Sequence, residues 1–581
     1  MKKIILSLLL LSLCILPVTA TTVTADTIRV GLYYGDSKLT SANLASSNGA
    51  GYEFGYYQNK TSFVPLAYTT ETEITMVIGS TVYLSGNQFS TSGSGSVLGV
   101  YHALHSAGYE NFEAAFSVAD TLAQGFVAWI DGDFQVRSGH FTSSSEATSH
   151  ANAVGGLTAI TGTSGYSINI VKTGTTELIF QFDGGSSKSL GVEQDLTGDA
   201  DPQVWFKNIL YRGGFQYQRI GQGDMVVSNI LPIETYLRGV VPFEMSGSWP
   251  LEAQKAQAVS ARTYAVLQAT RVTHSGENFD LCNTAHCQVY YGNGGPVTAT
   301  PTSLSDQAVA ETAHTYLWYG TSLAETYYSS SHGGASEAVS NIWGSDQSKY
   351  PYLTGVIDPY EQLASSINSY SDWSISFTKG ELTALLQNQG MGSGTQVKAL
   401  ETTYSETGNV IKLAVYWDNG GKNTLGPTEL RYSNWLALPS IHFVINDSLP
   451  TGGSTGGGGS SNSNGNIATP SFDDIYGISS AGIHTISENP YVITGTGTIS
   501  PLSEESTPDE TPDQTPDSSD STILQGSHYV EGNTYSFNGS GWGHNIGMSQ
   551  FGAYAMAYYE GFTYDEILEF YFPGTNVARS T

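Results

Sequence analysis

The sequence predicts an α+β protein: a mixed-sheet domain with helices, a smaller α+β domain before it, and a long disordered insertion near the C-terminus. Three observations predict this class. The length of 581 residues exceeds what one hydrophobic core usually serves. Strand-like alternation and helix-like spacing of apolar residues follow one another between residues 27 and 447. The apolar pattern then stops at residue 448 and resumes only at about residue 526.

The first 25 residues predict an export signal. Lys2 and Lys3 precede an apolar run from Ile4 to Leu16, which small residues follow. The run of roughly 13 residues is shorter than the ~20 that a membrane-spanning helix needs. We therefore expect a cleaved signal and a secreted protein, with an uncleaved membrane anchor as the alternative.

Composition excludes one broad class of partner. Lys and Arg number 22 against 52 Asp and Glu, so the formal net charge is -30. A nucleic-acid-binding protein needs a basic footprint, and the chain has none at this level. We expect no nucleic-acid partner and a neutral or weakly charged ligand.

Residues 27–200 predict the N-terminal domain, with a compact α+β unit at about 100–175. A helix pattern begins at Asn111, a strand follows from Gly125 to Ile130, and residues 133–141 alternate as a second strand does. Cap-like residues at Ser143 start another helix, and a further strand is expected near 166–171.

Residues 203–447 are predicted to form the first part of the larger domain. They contain the main candidate for a catalytic residue, Glu244. An apolar run ends at Val241, Pro242 turns the chain, and the carboxylate stands between Phe243 and Met245. Apolar neighbours disfavour a charged carboxylate and raise its pKa toward the range that a general acid needs. A surface glutamate after a strand is the structural alternative.

The next segment predicts a long helix after Pro250. Ala258, Ala261, Ala265 and Ala269 recur at helical spacing, which indicates close helix packing. Arg262 and Tyr264 on this helix are candidates to reach the ligand cleft, and a packing role is the equal alternative.

Four potential metal ligands follow within a short stretch: His274, Cys282, His286 and Cys287. Thiolate and imidazole groups are good zinc ligands. His274 with the two cysteines is the favoured ligand set, because His286 and Cys287 are adjacent in sequence and would bind one ion together less easily. An unpaired thiol pair and a small disulfide loop both stay open as alternatives.

Two Gly-rich turns combine groups suited to sugars. One follows a strand at 327–334, and the other, at 541–550, leads into a helix from Phe551 to Tyr559. Both bring hydroxyl, amide, imidazole or indole groups to places where the backbone can approach a ligand. Glycines that serve only the turns are the alternative explanation.

Residues 448–525 predict a disordered insertion. Gly and Ser dominate from Thr451 to Ser460, and Thr-Pro-Asp repeats between Glu504 and Asp520. The apolar residues of 526–581 are too few for an independent domain. We expect this tail to complete the domain that begins at 203, because loop-closure entropy grows slowly with length.

Together, these segments resemble the stage II sporulation protein D (SpoIID/LytB) family, over roughly residues 205–447 and 528–577. The segments that carry the resemblance occur in the family's order: Leu231–Leu237, Val240–Met245, AQKAQAVSARTYA from Ala253 to Ala265, Cys287–Tyr290, Ser331–Gly334 with Ile342–Gly344, and GWGHNIGMSQFGA from Gly541 to Ala553. Residues 134–153 are similar to the sporulation-related repeat (SPOR) domain, which binds peptide-free glycan.

The resemblance implies a peptidoglycan lytic transglycosylase in the cell wall or the forespore-facing extracytoplasmic space. Glu244 would be its acid/base, cleaving MurNAc-GlcNAc bonds of peptide-free strands to 1,6-anhydroMurNAc ends. The implied cofactor is a structural zinc ion on His274, Cys282 and Cys287. The predicted substrate-binding residues are Arg262, Tyr264, Gln288, Tyr290, Tyr328, Ser331, His332, Trp542, His544 and Gln550.

Some family members are described only as amidase enhancers. A non-catalytic, peptidoglycan-binding enhancer with a cell-wall amidase as its partner is therefore the main alternative. A surface adhesin is the second alternative, suggested by the Gly/Ser linker and the acidic repeat.

Overall fold

The computed structural model describes residues 26–160, 163–195, 201–294 apart from 272 and 275, 302–447 and 524–580. It also gives residue 449 and the backbone of four short strands between 476 and 501. The predicted export signal lies outside the described residues, as does most of the predicted insertion. Within the described part, the protein is α+β with several mixed sheets, as the sequence predicts.

Up to residue 232 the described residues form strands and two α-helices. In order, the elements are β1 (Thr27–Tyr33), β2 (Ser41–Ser46), β3 (Tyr52–Gln58), β4 (Ser62–Thr69), β5 (Glu73–Ile78), β6 (Val82–Ser85), β7 (Gln88–Ser90), β8 (Ser96–Leu98), β9 (Tyr101–Tyr109), α1 (Phe112–Ala119), β10 (Gly125–Ile130), β11 (Asp133–Phe141), α2 (Ser144–Val154), β12 (Thr158–Ile160), β13 (Ile168–Lys172), β14 (Leu178–Asp183), β15 (Leu190–Gln194), β16 (Val204–Phe206), β17 (Ile209–Tyr211), β18 (Gly214–Arg219) and β19 (Met225–Pro232).

Between residues 233 and 445 the described residues form both helices and strands. They are α3 (Ile233–Leu237), α4 (Val241–Glu244), α5 (Leu251–Ala269), β20 (Leu281–Cys282), α6 (Ser303–Glu311), β21 (Thr315–Tyr319), β22 (Ser322–Leu323), β23 (Tyr328–Ser329), α7 (Val339–Trp343), β24 (Trp373–Thr378), α8 (Lys379–Asn388), β25 (Val397–Tyr404), β26 (Val410–Trp417), β27 (Lys422–Leu425), α9 (Pro427–Arg431) and β28 (His442–Ile445). Short 3-10 helices lie at Gly35–Ser37, Gln347–Lys349 and Glu361–Ala364.

The remaining elements belong to two hairpins and the tail. They are β29 (Tyr476–Ser479), β30 (Gly482–Thr485), β31 (Tyr491–Ile493), β32 (Ile499–Pro501), β33 (Ser527–Glu531), β34 (Thr534–Ser540), β35 (Met548–Ser549), α10 (Gln550–Tyr559), α11 (Tyr564–Tyr571) and β36 (Asn576–Arg579). Among the residues described, no helix is long and apolar enough to cross a membrane.

Two large sheets organise the chain up to residue 232. One has the order β20-β1-β19-β18-β15-β3-β4, the other β12-β9-β11-β10-β14-β13-β5-β2-β16-β17. β1 pairs antiparallel with β19 and parallel with β20. The start of the described chain thus shares a sheet with the strand that leads to Glu244, and strand pairing continues across residue 200.

The predicted α+β unit forms as strand, helix, strand, strand, helix, strand, from β9 to β12, with the spatial order β12-β9-β11-β10. Asn111 caps α1, and Ser143 with Glu146 forms a capping box on α2, as the sequence predicts. The strand that the sequence predicts near 166–171 also forms, as β13 in the same sheet. It pairs with β14 and β5, however, and the strand that directly follows α2 is the short β12, which pairs with β9.

The tail after residue 524 joins sheets that are built from earlier residues. β33 pairs with β25, β34 lies between β24 and β28, β35 pairs with β23, and β36 pairs with β21. The helices of the tail pack against α5. Residues on both sides of the interruption at 450–523 therefore build the same sheets and the same core.

Helix α5 lies between two cores. Ala258, Ala261 and Ala265 belong to the core of the large sheets, while Ala253 and Ala256 belong to the core of α10 and α11. Small residues on both sides let the neighbouring elements approach closely. This explains the alanine spacing that the sequence shows and makes α5 the central support of the region around Glu244.

Candidate active site

Glu244 is the last residue of α4, a single turn that begins directly after α3. Pro242 occupies the start of this turn, where a missing N–H costs no hydrogen bond. Val241 and Pro242 are buried, whereas Phe243 and Glu244 are half-buried. The carboxyl group therefore lies at the edge of the hydrophobic core.

Three neutral groups donate hydrogen bonds to the Glu244 carboxyl group. The Val289 backbone N–H donates to Oε1 at 3.1 Å, and the Gln550 side-chain amide donates to Oε2 at 3.4 Å. The Tyr328 hydroxyl is the third donor. These partners come from the loop after β20, from β23 and from α10. The site is assembled only when distant parts of the chain meet.

A directed chain of hydrogen bonds orients the Tyr328 hydroxyl. The Tyr236 hydroxyl donates to Gln288 Oε1 at 2.9 Å. Gln288 Nε2 in turn donates to the Ala261 carbonyl and to Tyr328 Oη, each at 3.2 Å. Because Tyr328 Oη accepts from this amide, its own proton is available to Glu244.

Burial raises the pKa of Glu244 above its ordinary value of 4.5, and the three donors lower it in part. Burial, with the adjacent Glu244 carboxylate, raises the pKa of Tyr328 well above its ordinary value, so this hydroxyl stays a proton donor. A carboxyl group in this setting holds its proton more strongly than an exposed one. It still has donors ready for its ionised form.

Two predicted binding residues are structural instead. Arg262 is fully buried and donates twice to Glu234, from Nε at 2.9 Å and from Nη2 at 2.7 Å. Its remaining hydrogen bonds go to Thr312 Oγ1 and to the carbonyls of Val309 and Thr315. All five guanidinium N–H groups are thus used. Tyr290 is likewise buried and donates to Asn229 Oδ1 at 2.6 Å.

The turn after β23 is also closed to a ligand at two predicted positions. Ser331 and His332 are fully buried, and both contact Glu361 through hydrogen bonds. Burial lowers the pKa of His332 to about 3. The Ser331 hydroxyl and the His332 backbone N–H thus hold the turn, and a role of these two side chains in binding stays a prediction.

The remaining predicted residues differ in how near they lie to Glu244. Gln288 and Gln550 belong to its hydrogen-bond network, as described. Trp542 is 46% exposed and packs on Tyr370 with ring centroids 4.3 Å apart. His544 is half-buried beside Trp343, accepts from the Ile546 N–H, and has its pKa lowered to about 3 by burial. Tyr264 is half-buried and packs near Tyr327.

The His and Cys side chains predicted to bind metal cluster together. Ligand atoms of His274, Cys282, His286 and Cys287 all lie within 4.8 Å of one another, and both thiols are free. Cys287 Sγ is 3.2 Å from His274 Nε2 and 3.4 Å from His286 Nδ1. The edges of a tetrahedral zinc site with N and S ligands measure about 3.3–3.8 Å. The donor set therefore fits zinc, and His286, which is outside the predicted ligand set, offers a fourth ligand atom.

Sequence reasoning missed several residues that shape the site. Val289 acts through its backbone N–H, which leaves no side-chain signal, although it lies within the quoted Cys287–Tyr290 segment. Gln257 accepts from the Gln550 amide at 3.3 Å and is buried on α5. Glu361 is a buried carboxylate at the start of the 3-10 helix Glu361–Ala364. The Asp-Pro-Tyr-Glu segment that contains it shows no helix or strand periodicity, so no sequence pattern indicates that this carboxylate is buried.

Comparison with known proteins shows a match between part of the chain and one family. Residues 221–319 match the family described as Stage II sporulation protein, SpoIID. That range contains Glu244 and all four residues of the His–Cys cluster.

Curated relatives extend the similarity. The chain is 28% identical over 351 residues to a protein of Bacillus subtilis (strain 168) named amidase enhancer, covering 59% of this chain and 40% of that protein. It is 31% identical over 144 residues to the stage II sporulation protein D of the same organism, covering 23% of this chain and 41% of the relative. An uncharacterized protein of Brachyspira hyodysenteriae is 39% identical over 132 residues, covering 23% of this chain and 33% of the relative.

The chain thus spans less than half the length of these relatives. The range that matches the family contains Glu244 and its donor Val289, whereas Tyr328 and Gln550 lie outside it. Residues 221–319, which carry Glu244 and the His–Cys cluster, are thus similar to the stage II sporulation protein D (SpoIID) family.

Proposed function

We propose that the protein is a peptidoglycan lytic transglycosylase that cleaves MurNAc-GlcNAc bonds in peptide-free glycan strands. Glu244 is its acid/base. The observation that carries this proposal is a half-buried carboxyl group whose hydrogen-bond partners are all neutral donors.

The chemistry needs one group that first gives a proton and then takes one. Burial favours the neutral form of Glu244, which donates to the oxygen between the two sugars. The leaving proton creates a carboxylate, and Val289, Tyr328 and Gln550 already point donors at it. The carboxylate then removes the proton of the muramic C6 hydroxyl, whose oxygen attacks C1 and closes the 1,6-anhydro ring.

A second carboxylate is not required by this route. Ordinary glycosidases use a pair of carboxyl groups, one of which activates water or attacks the sugar. Here the nucleophile is part of the substrate. Among the described residues, no acidic side chain contributes to the pKa shift of Glu244, which agrees with a single acid/base.

Zinc, in this proposal, is structural. His274, Cys282, His286 and Cys287 would hold it, and a site with four protein ligands leaves no position for substrate. Its contribution is to fix the loop that ends in Gln288 and Val289, whose hydrogen bonds reach Tyr328 and Glu244.

The α+β unit from β9 to β12 supports a second point of attachment to glycan. Residues 134–153, which lie in this unit, carry the resemblance to the glycan-binding SPOR domain. We propose that it binds the same peptide-free strand that Glu244 cleaves.

A non-catalytic role is the second candidate, because one relative is named an amidase enhancer. In that case the protein binds peptidoglycan and stimulates a cell-wall amidase without cutting glycan. The Glu244 surroundings would then have no chemical task.

Digestion of purified, peptide-free glycan separates the two candidates. Mass spectrometry of the products should show 1,6-anhydroMurNAc ends with the unaltered protein and none with Glu244→Gln. The Glu244→Gln protein should still sediment with the glycan, which controls for folding and binding. Equal anhydro product from both proteins, or none from the unaltered protein, would rule out the catalytic proposal.

A further inference from the structure

Glu361 is a buried carboxylate that the chemistry proposed above does not use. Only 3% of it is exposed. Its Oε1 accepts from the Ser331 hydroxyl and from the Gly333 N–H at 3.0 Å. Its Oε2 accepts from the His332 N–H at 2.9 Å and from the Ser549 hydroxyl at 2.7 Å. One side chain thereby joins the turn after β23 to the residue that precedes α10.

Both of these segments deliver a donor to Glu244. Ser549 caps α10 by accepting from the Gly552 N–H at 3.0 Å, and the next residue is Gln550. β23, which begins with Tyr328, pairs directly with β35, which ends with Ser549. The hydrogen bonds of Glu361 therefore connect the turn that follows β23, the strand of Tyr328, to the residue that precedes α10, the helix of Gln550.

We propose that Glu361 is a positioning residue for Glu244, because it clamps the turn after β23 to the start of α10 and so holds the Tyr328 and Gln550 donors in reach. The inference rests on the proposed function for its effect on turnover. Its effect on the geometry around Glu244 does not depend on that function.

The isosteric change Glu361→Gln tests the clamp at constant shape. Each oxygen of Glu361 accepts from one backbone N–H, of Gly333 or of His332, and a backbone N–H cannot become an acceptor. In either orientation, the new amide N–H₂ group therefore faces a buried N–H. The turn must shift away, and the elements of Tyr328 and Gln550 move with it.

Glu337 offers a matched control, because it is equally buried and also accepts four hydrogen bonds. Its Oε2 meets only the hydroxyls of Ser405 and Thr407, which can rotate and accept instead. Glu337→Gln should therefore keep its local structure. It controls for the loss of one buried negative charge.

Two readouts are measured on full-length proteins. The first is turnover on peptide-free glycan, where Glu361→Gln should lower kcat on the order of 10²-fold with KM little changed, since a small misplacement near reacting groups has that effect. The second is infrared titration of the Glu244 carboxyl group, identified by its loss in Glu244→Gln. Weaker donors should move this titration to higher pH in Glu361→Gln and leave it unchanged in Glu337→Gln.

The two readouts keep this inference distinct from the proposed function. If the unaltered protein makes no anhydro product, the transglycosylase proposal fails and the infrared titration still tests the clamp. A folded Glu361→Gln protein with an unaltered Glu244 titration would overturn the clamp. If Glu361→Gln does not fold, Ser549→Ala, which removes one of the four donors, takes its place with a smaller shift in the same direction.

Discussion

Glu234 and Glu244 stand at the two ends of one short segment and have opposite surroundings. Glu234 receives two hydrogen bonds from the guanidinium of Arg262 and one from the His314 N–H at 3.1 Å. Glu244 receives hydrogen bonds from neutral groups only. The positive charge of Arg262 stabilises the Glu234 carboxylate and holds it in place. Burial with neutral donors leaves the second one able to exchange its proton.

Residues in similar motifs of this chain have different surroundings. Both glutamates and Arg262 lie in the stretches that resemble the family, and sequence alone treats them alike. The hydrogen bonds divide them into an ion pair, Arg262 with Glu234, and a carboxyl group whose donors are all neutral, Glu244. Four changes test that division.

The largest expected effect is loss of stability in Arg262→Ala. This change leaves Glu234 without its cation and vacates five hydrogen bonds between α3, α5, α6 and β21. Breaking a largely buried pair costs about 3–5 kcal/mol. Urea denaturation should show this loss of unfolding free energy, whereas Arg238→Ala, at an exposed pair with Asp306, should change it little. Unaltered stability in Arg262→Ala would refute its structural assignment.

Removal of the proposed zinc ion is expected to have the next largest effect. Elemental analysis should find about one zinc per chain, and Cys287→Ser should lose it. Because the loop that holds the ion ends in Gln288 and Val289, glycan cleavage should then fall by up to about 10²-fold. Protein purified without zinc and with full activity would remove the metal from the proposal.

Tyr328→Phe should produce a smaller change, with a sign that the hydrogen bonds determine. It removes one donor to the ionised form of Glu244, so the pKa of Glu244 rises further. The alkaline limb of the pH–rate profile, where Glu244 loses its proton, should move to higher pH. We expect kcat to fall about 10-fold. A limb that moves to lower pH would contradict the assigned donor.

The smallest effect concerns the stability of Glu244→Gln. The folded state raises the pKa of Glu244 above 4.5, so folding binds the proton more tightly than the unfolded chain does. The stabilisation from this proton is complete below the unfolded pKa and is lost as pH rises through the folded one. Glu244→Gln should therefore be more stable than the unaltered protein at pH 7.5, by about 1 kcal/mol or less, and equally stable at pH 4. Thermal unfolding at both values measures it.

Much of the fold was open to prediction from local signals. The helix caps at Asn111 and Ser143, the helix after Pro250 and the helix that follows the Gly541 motif all form as the pattern indicates. These features depend on neighbouring residues. The strand β12 was missed because three residues are too few to show a period.

The site was less accessible to prediction because its contacts join distant residues. A long helix with Arg262 and a Gly-rich turn with His332 gave no sign of which way each side chain points. Burial decided that question, and both proved to be interior. The donor from Val289 is a backbone group, so it depends on the path of the chain and not on the side chain at that position.

The tail and Glu244 depend on each other although they are far apart in the chain. Gln550 donates to Glu244 across 306 positions of sequence, and its neighbour Ser549 donates to Glu361. A chain shortened before residue 549 would keep Glu244 itself but would lose its Gln550 donor and the Ser549 contact of Glu361.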